Sequence, residues 1–146
     1  MTASDSPVYL DPKLATAVII ADARGILLQQ RAMEPRRGLW TFPSGYVDRG
    51  EQVERAAERE VREELGVAVR LTHLLGVYSE PGNPVVLVVY TGDVLDDAMT
   101  TVQEAEISAI GYFRPDDLPP LAFAHDETII ADWQAFVRDG REVLPR

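Results

Sequence analysis

The run from Gly45 to Val67, GYVDRGEQVERAAEREVREELGV, constrains this chain more than any other part of it. It predicts a helix from about Gln52 to Leu65, with Gly66 where a left-handed C-cap belongs. Glu60, Glu63 and Glu64 stand at i, i+3 and i+4, so they are neighbours on one side of that helix. Carboxylates about 6 Å apart, at an effective dielectric of about 20, repel by roughly 3 kcal/mol per pair. With Glu51 as a fourth acid, the chain either splays these groups into solvent or gathers them around a cation. Oxygen-only donors favour the hard ions Mg²⁺ and Mn²⁺.

The same run also supports a plainer reading, a solvated helix face laced by ion pairs. Glu51 with Arg55, Glu58 with Arg62 and Arg59 with Glu63 all have i,i+4 spacing. At about 100° per residue, Glu64 lies near +40° and Glu63 near −60° from Glu60, roughly on the same side as Ala56 and Ala57. Arg55, Glu58 and Arg62 fall on the far side. The acids thus surround a floor of small residues that a loop or ligand can approach, which favours the metal reading.

The spacing Gly-x5-Glu-x7-Arg-Glu-apolar-x-Glu-Glu-x-Gly-apolar resembles the Nudix box, and every specified position is matched from Gly45 to Val67. The wider likeness runs from about Ala15 to Val137. It implies an α/β/α sandwich around a mixed sheet and the hydrolysis of a nucleoside diphosphate linked to another moiety. It also implies direct metal ligation by Glu60 and Glu64, with Glu63, Glu51 and the carbonyl of Gly45 completing the set. Arg59 orients Glu51 or Glu63. The general base is either a box glutamate, Glu63, or one from a later loop. Of Glu104 and Glu106, the alignment of Glu106-Ile107, Tyr112-Phe113 and Asp117-Leu118-Pro119 with the family's later signposts favours Glu106.

The rest of the chain bounds this reading. At 146 residues it is expected to form one domain, 15–140, with an N-terminal arm at 1–14 and a tail at 141–146. A net charge of −10 argues against a nucleic-acid duplex or an anionic membrane as partner. It leaves room for a phosphate-bearing small ligand, because divalent ions reverse the local charge. Without cysteine there is no disulfide, zinc-thiolate site or thiol nucleophile. The start MTASDSPVYLDP lacks the character of a signal peptide, and no apolar run reaches transmembrane length, so a cytoplasmic enzyme is expected.

Ala15–Ala21 and Ile26–Arg31 read as strands around a turn at Asp22–Gly25, and Leu39–Phe42 as a short strand. Pro43–Gly45 and the segment to Gly50 read as loop. Val67–Tyr78, Pro84–Asp93 and Ile107–Phe113 are further strands, and Asp116–Leu118 one turn of helix. His125–Arg138 is a helix with Ile129, Ile130, Trp133 and Phe136 on one face. His125 stands where that helix begins and can cap it.

For substrate binding, Arg31 ends a strand that points toward the site in the implied fold, and a guanidinium suits phosphate oxygens. Trp40 and Phe123 are the aromatic candidates, with core packing the default for Trp40. The segments Glu34–Tyr46 and Leu121–Phe123 resemble those of ADP-ribose and FAD pyrophosphatases, which makes ADP-ribose or a similar dinucleotide the expected substrate. A housecleaning hydrolase for (d)NTPs and a non-enzymatic ligand sensor are the alternatives. The intact acid set argues against the sensor. In the ADP-ribose type, the N-terminal strands of a partner complete the pocket, so a homodimer is expected, with the arm long enough to reach across.

Overall fold

The computed structural model describes residues 10–95 and 106–140. Seven strands and two helices follow in the order β1 (Lys13–Asp22), β2 (Gly25–Arg31), β3 (Trp40–Thr41), β4 (Ser44–Tyr46), α1 (Val53–Leu65), β5 (Val69–Tyr78), β6 (Val85–Val94), β7 (Ile107–Phe113) and α2 (Ala124–Asp139). The strands form one mixed sheet organised on β1. β1 runs parallel to β6, with Lys13 to Ile20 opposite Val85 to Gly92, and β5 closes that side antiparallel to β6. On its other side β1 meets β4 near its start and β2 at its end, and β2 carries β3 and β7.

The apolar alternation of β1 divides the core. Ala15, Ala17 and Ile19 face one layer with Leu28, Phe42, Val89 and the Ile129 and Ile130 of α2. Val18 and Ile20 face the other with Leu27, Ala57, Val61 and Leu65 of α1. Two helices on opposite faces of a mixed sheet are the α/β/α sandwich the sequence implies, and each face buries its own apolar stripe. Gly66 ends α1 in the left-handed region at φ 73°, and its N–H bonds the Arg62 carbonyl at 2.9 Å.

Two local expectations are corrected. Ser44–Tyr46 is a strand rather than loop, its three residues pairing with Ala15 to Ala17 of β1. Three residues without alternation carry no strand signal of their own; the backbone edge that β2 leaves open at the start of β1 recruits them. Asp116–Leu118 is not a turn of helix: the hydrogen-bonded turn lies over Arg114–Asp117, closed by the Asp117 N–H to the Arg114 carbonyl (2.9 Å). Among the described residues no helix is long and apolar enough to cross a membrane.

Candidate active site

A cavity of about 660 Å³ opens where β2, β4, α1 and the start of α2 converge, a size suited to a nucleotide-scale ligand. One wall is acidic: Asp48, Glu60, Glu63, Glu64 and Glu106. A second is apolar, from Ala15, Ala17, Phe42, Val85 and Leu87. The third carries Arg31, Phe123, His125 and Asp126.

The acidic wall follows from the helix. Ala56 and Ala57 are buried against the sheet, which draws that face of α1 inward and leaves Glu64 only 6% exposed. Glu64 Oε1 accepts from the Ser44 N–H (2.9 Å) and Oε2 from Gln29 Nε2 (2.9 Å). Burial pushes its carboxyl up to about 8 against those two bonds, with Glu60 and Glu106 adding repulsion. Glu60 lies one turn before it, against Gly45. A Cβ on residue 45 would overlap the Glu60 carboxyl group, which is why the middle of β4 takes glycine there. Burial raises the Glu60 pKa as well, Arg59 opposes the rise, and Glu63 and Glu106 reinforce it.

Arg59 is the internal counter-ion. Its Nε and Nη2 grip Glu51 at 2.8 and 3.0 Å, Nη2 also reaches the Tyr46 carbonyl (3.0 Å), and Nη1 bonds Glu60 at 2.8 Å. Glu63, half-exposed, sits 3.4 Å from Nη1. The two-pronged bond and the Asp48 N–H hold the Glu51 carboxyl down at about 2. Both Glu51 oxygens are engaged, by the Asp48 N–H and by Arg59, and Glu51 anchors Arg59 from outside the residues that line the cavity. Glu51 also precedes the helix, so the expected pair with Arg55 does not form, and Arg55 meets Glu58 instead.

Among the described residues no three acidic or histidine groups already stand together as a finished ion site. The donor set nevertheless fits a divalent cation. Glu60, Glu63, Glu64 and Glu106 share one wall, and Arg59 alone of the nearby cations bonds any of them. Two of the four are pushed toward protonation partly by the others. A hard cation would relieve that repulsion and meet oxygen donors only.

The third wall is built at the start of α2. Phe123 and His125 stack at 5.7 Å and 16°, and the Arg31 guanidinium lies 5.5 Å from the Phe123 ring centre. Arg31 Nε is fixed by the Pro35 carbonyl at 2.8 Å. Asp126, not His125, closes the helix: its carboxylate accepts from the Phe123 N–H (3.1 Å) and from the Thr41 hydroxyl. It is 1% exposed, and burial pushes its pKa up to about 7.

Of the expected substrate residues, Arg31 and Phe123 meet in the cavity and Trp40 does not line it. The Trp40 ring packs edge-to-face on Phe113 at 4.8 Å and belongs to the α2-side core. Glu106 lines the cavity from the start of β7; Glu104 lies outside the described residues, as does the arm through residue 9. The sequence reading passed over Gln29 and Asp126. Gln29 left a trace, since it stands two residues after Leu27 at a position where the α1-facing alternation of β2 calls for an apolar side chain. Asp126 carried a weaker one, an acid in the first turn of a helix.

Comparison with known proteins bears on this geometry. The family model described as NUDIX domain matches residues 11–133. The ADP-ribose pyrophosphatase of Methanocaldococcus jannaschii is 37% identical over 130 residues, which span 86% of this chain and 75% of that protein. The NAD-capped RNA hydrolase NudC of Erwinia tasmaniensis is 31% identical over 135 residues; the match takes in 90% of this chain but about half (51%) of that longer protein. A NUDIX hydrolase from Nitrosomonas europaea superposes with a TM-score of 0.82 at 26% identity, covering 94% of this chain and 80% of that one.

Proposed function

This chain belongs to the Nudix family as a pyrophosphohydrolase, and we propose that it cleaves the pyrophosphate of a nucleoside diphosphate derivative, ADP-ribose before others, with Mg²⁺ or Mn²⁺. The observation that carries the reading is the set of four glutamates on one wall of the cavity, with an arginine-capped aromatic ring on another. That pairing suits a ligand whose diphosphate meets a cation while its flat base meets Phe123. The likeness to an ADP-ribose pyrophosphatase over most of both chains supports the substrate. FAD and NAD(H) stand next, the latter because of the NudC likeness.

Glu60 and Glu64 would hold the cation, with Glu63 and the Gly45 carbonyl as its further protein donors. When bound, the cation supplies charge neutralisation for the phosphoryl oxygens and a lowered pKa for water. Glu106 takes the proton of the attacking water as its oxygen bonds one phosphorus. The P–O bond to the bridging oxygen breaks, and the departing phosphate keeps the electron pair. From ADP-ribose the products are AMP and ribose 5-phosphate. Arg59 touches no reacting atom; it fixes Glu60 and Glu63 through its grip on Glu51. Arg31 directs its free guanidinium nitrogens to phosphate oxygens, and Phe123 stacks on the base. A homodimer, in which a partner's N-terminal arm closes the open side of the cavity, belongs to the same reading.

The test is a substrate panel of ADP-ribose, FAD, NADH, diadenosine polyphosphates and dNTPs, run with Mg²⁺ and again in excess chelator. ADP-ribose is expected to have the highest kcat/KM, and chelation to abolish turnover, with Mg²⁺ or Mn²⁺ restoring it. Full turnover in chelator would remove the cation from the account; a dNTP at the head of the panel would move the substrate to the housecleaning class.

A further inference from the structure

Gln29 of β2 is a core-facing carboxamide, 4% exposed, on the side of the sheet that packs against α1. Its Nε2 donates to Glu64 Oε2, while its Oε1 is buried and has no hydrogen-bond partner among the described residues. With Glu64 ionised, as cation binding requires, the orientation follows from the neighbour: turning the amide over would set its carbonyl oxygen against a carboxylate oxygen. Leaving a buried acceptor unmade costs about 1–3 kcal/mol. An aliphatic side chain, as at Leu27, would avoid that cost at the same face of the strand. Gln29 also lines the cavity beside Glu64 and Thr41, so its carboxamide borders the space a ligand would fill.

The geometry points to Gln29 as the positioning residue of the cation site, an inference that rests on the reading of the acidic wall as that site. Together with the Ser44 N–H, Gln29 fixes each Glu64 oxygen through one lone pair and leaves the other free for a cation. The unpartnered Oε1 is then the acceptor for a donor that arrives with the ligand, a water carried by the ion being the nearest chemistry. Mg²⁺ keeps several such waters in protein sites. Residues that orient metal ligands in this way change affinity by about 10- to 100-fold when removed.

Calorimetric titration of the metal-free protein with Mn²⁺ tests this without reference to turnover. Gln29→Met, close in volume but without the amide, is expected to weaken Mn²⁺ binding at least about tenfold while keeping the circular dichroism spectrum of the parent. Affinity within twofold of the parent overturns the inference and leaves the cation reading standing; no Mn²⁺ binding by the parent overturns both. Should Gln29→Met not fold, nitrogen-15 NMR of the parent decides. The Gln29 side-chain amide is expected to shift on addition of Mg²⁺, and an unmoved resonance at saturation contradicts the assignment.

Discussion

Glu64 and Asp126 are both carboxylates buried in walls of the same cavity, and they have been made acceptable to the core in different ways. Asp126 spends its oxygens on the Phe123 N–H and the Thr41 hydroxyl, closing the first turn of α2 and tying it to β3. Among the described residues its ion-pair neighbour is His125 at 3.7 Å, and no second acid contributes to its raised pKa. Glu64 also accepts two hydrogen bonds, but Glu60 and Glu106 crowd the same space. Burial alone therefore does not mark a functional acid. What separates the two is whether like charge accumulates beyond what local donors can satisfy.

The largest expected effect sharpens that contrast. Glu64→Gln removes a charged ligand and is expected to lower kcat by three orders of magnitude or more, with folding intact. Glu58→Gln, away from the acidic wall on the same helix, is expected to change it less than about threefold. Equal losses in the two variants would return α1 to a solvated charged face.

Next comes the base. Glu106→Gln is expected to cost about 10²- to 10⁴-fold in kcat and to remove the acidic limb of the pH–rate profile, with Mn²⁺ affinity near that of the parent. A parental profile would hand the role to Glu63.

Asp126 gives a smaller effect, of a different kind. Its folded pKa is raised from 3.8 to about 7, so the folded chain holds the proton more tightly than the unfolded one. The stability this contributes is present below about pH 4 and is lost as the pH rises through 7. Asp126→Asn cannot titrate. In metal-free protein it is therefore expected to reduce, by several degrees, the fall in melting temperature between pH 5 and pH 8. Equal falls in parent and variant would contradict the buried-cap assignment.

How much of this was legible in the sequence depends on how far apart the interacting residues lie. Glu60, Glu63, Glu64 and the alanine floor were readable because helical spacing alone sets their side of α1, and Arg59 because the glutamates it bonds stand within eight positions. The main strands, too, announced themselves by alternation, and both helices came within a residue or two of their ends. The pairing of Gln29 with Glu64 joins residues 35 positions apart and depends on where β2 lies under α1, which no local pattern states. The division of labour between Trp40 and Phe123 was hidden for the same reason. Both are aromatics near turns, and only the packing of Phe113 shows that Trp40 is core. The box spacing pairs Arg59 with Glu51 but does not reveal that the guanidinium bonds both its oxygens.

The central claim is that the crowded acid binds a cation and the capped acid does not. Mn²⁺ titration followed by the loss of the free-ion electron paramagnetic resonance signal, carried out side by side on the parent, Glu64→Gln and Asp126→Asn, tests it most directly. The account predicts that Glu64→Gln loses the tight site while Asp126→Asn keeps it within about threefold of the parent. Retention of the site in Glu64→Gln, or its equal loss in both variants, would contradict it.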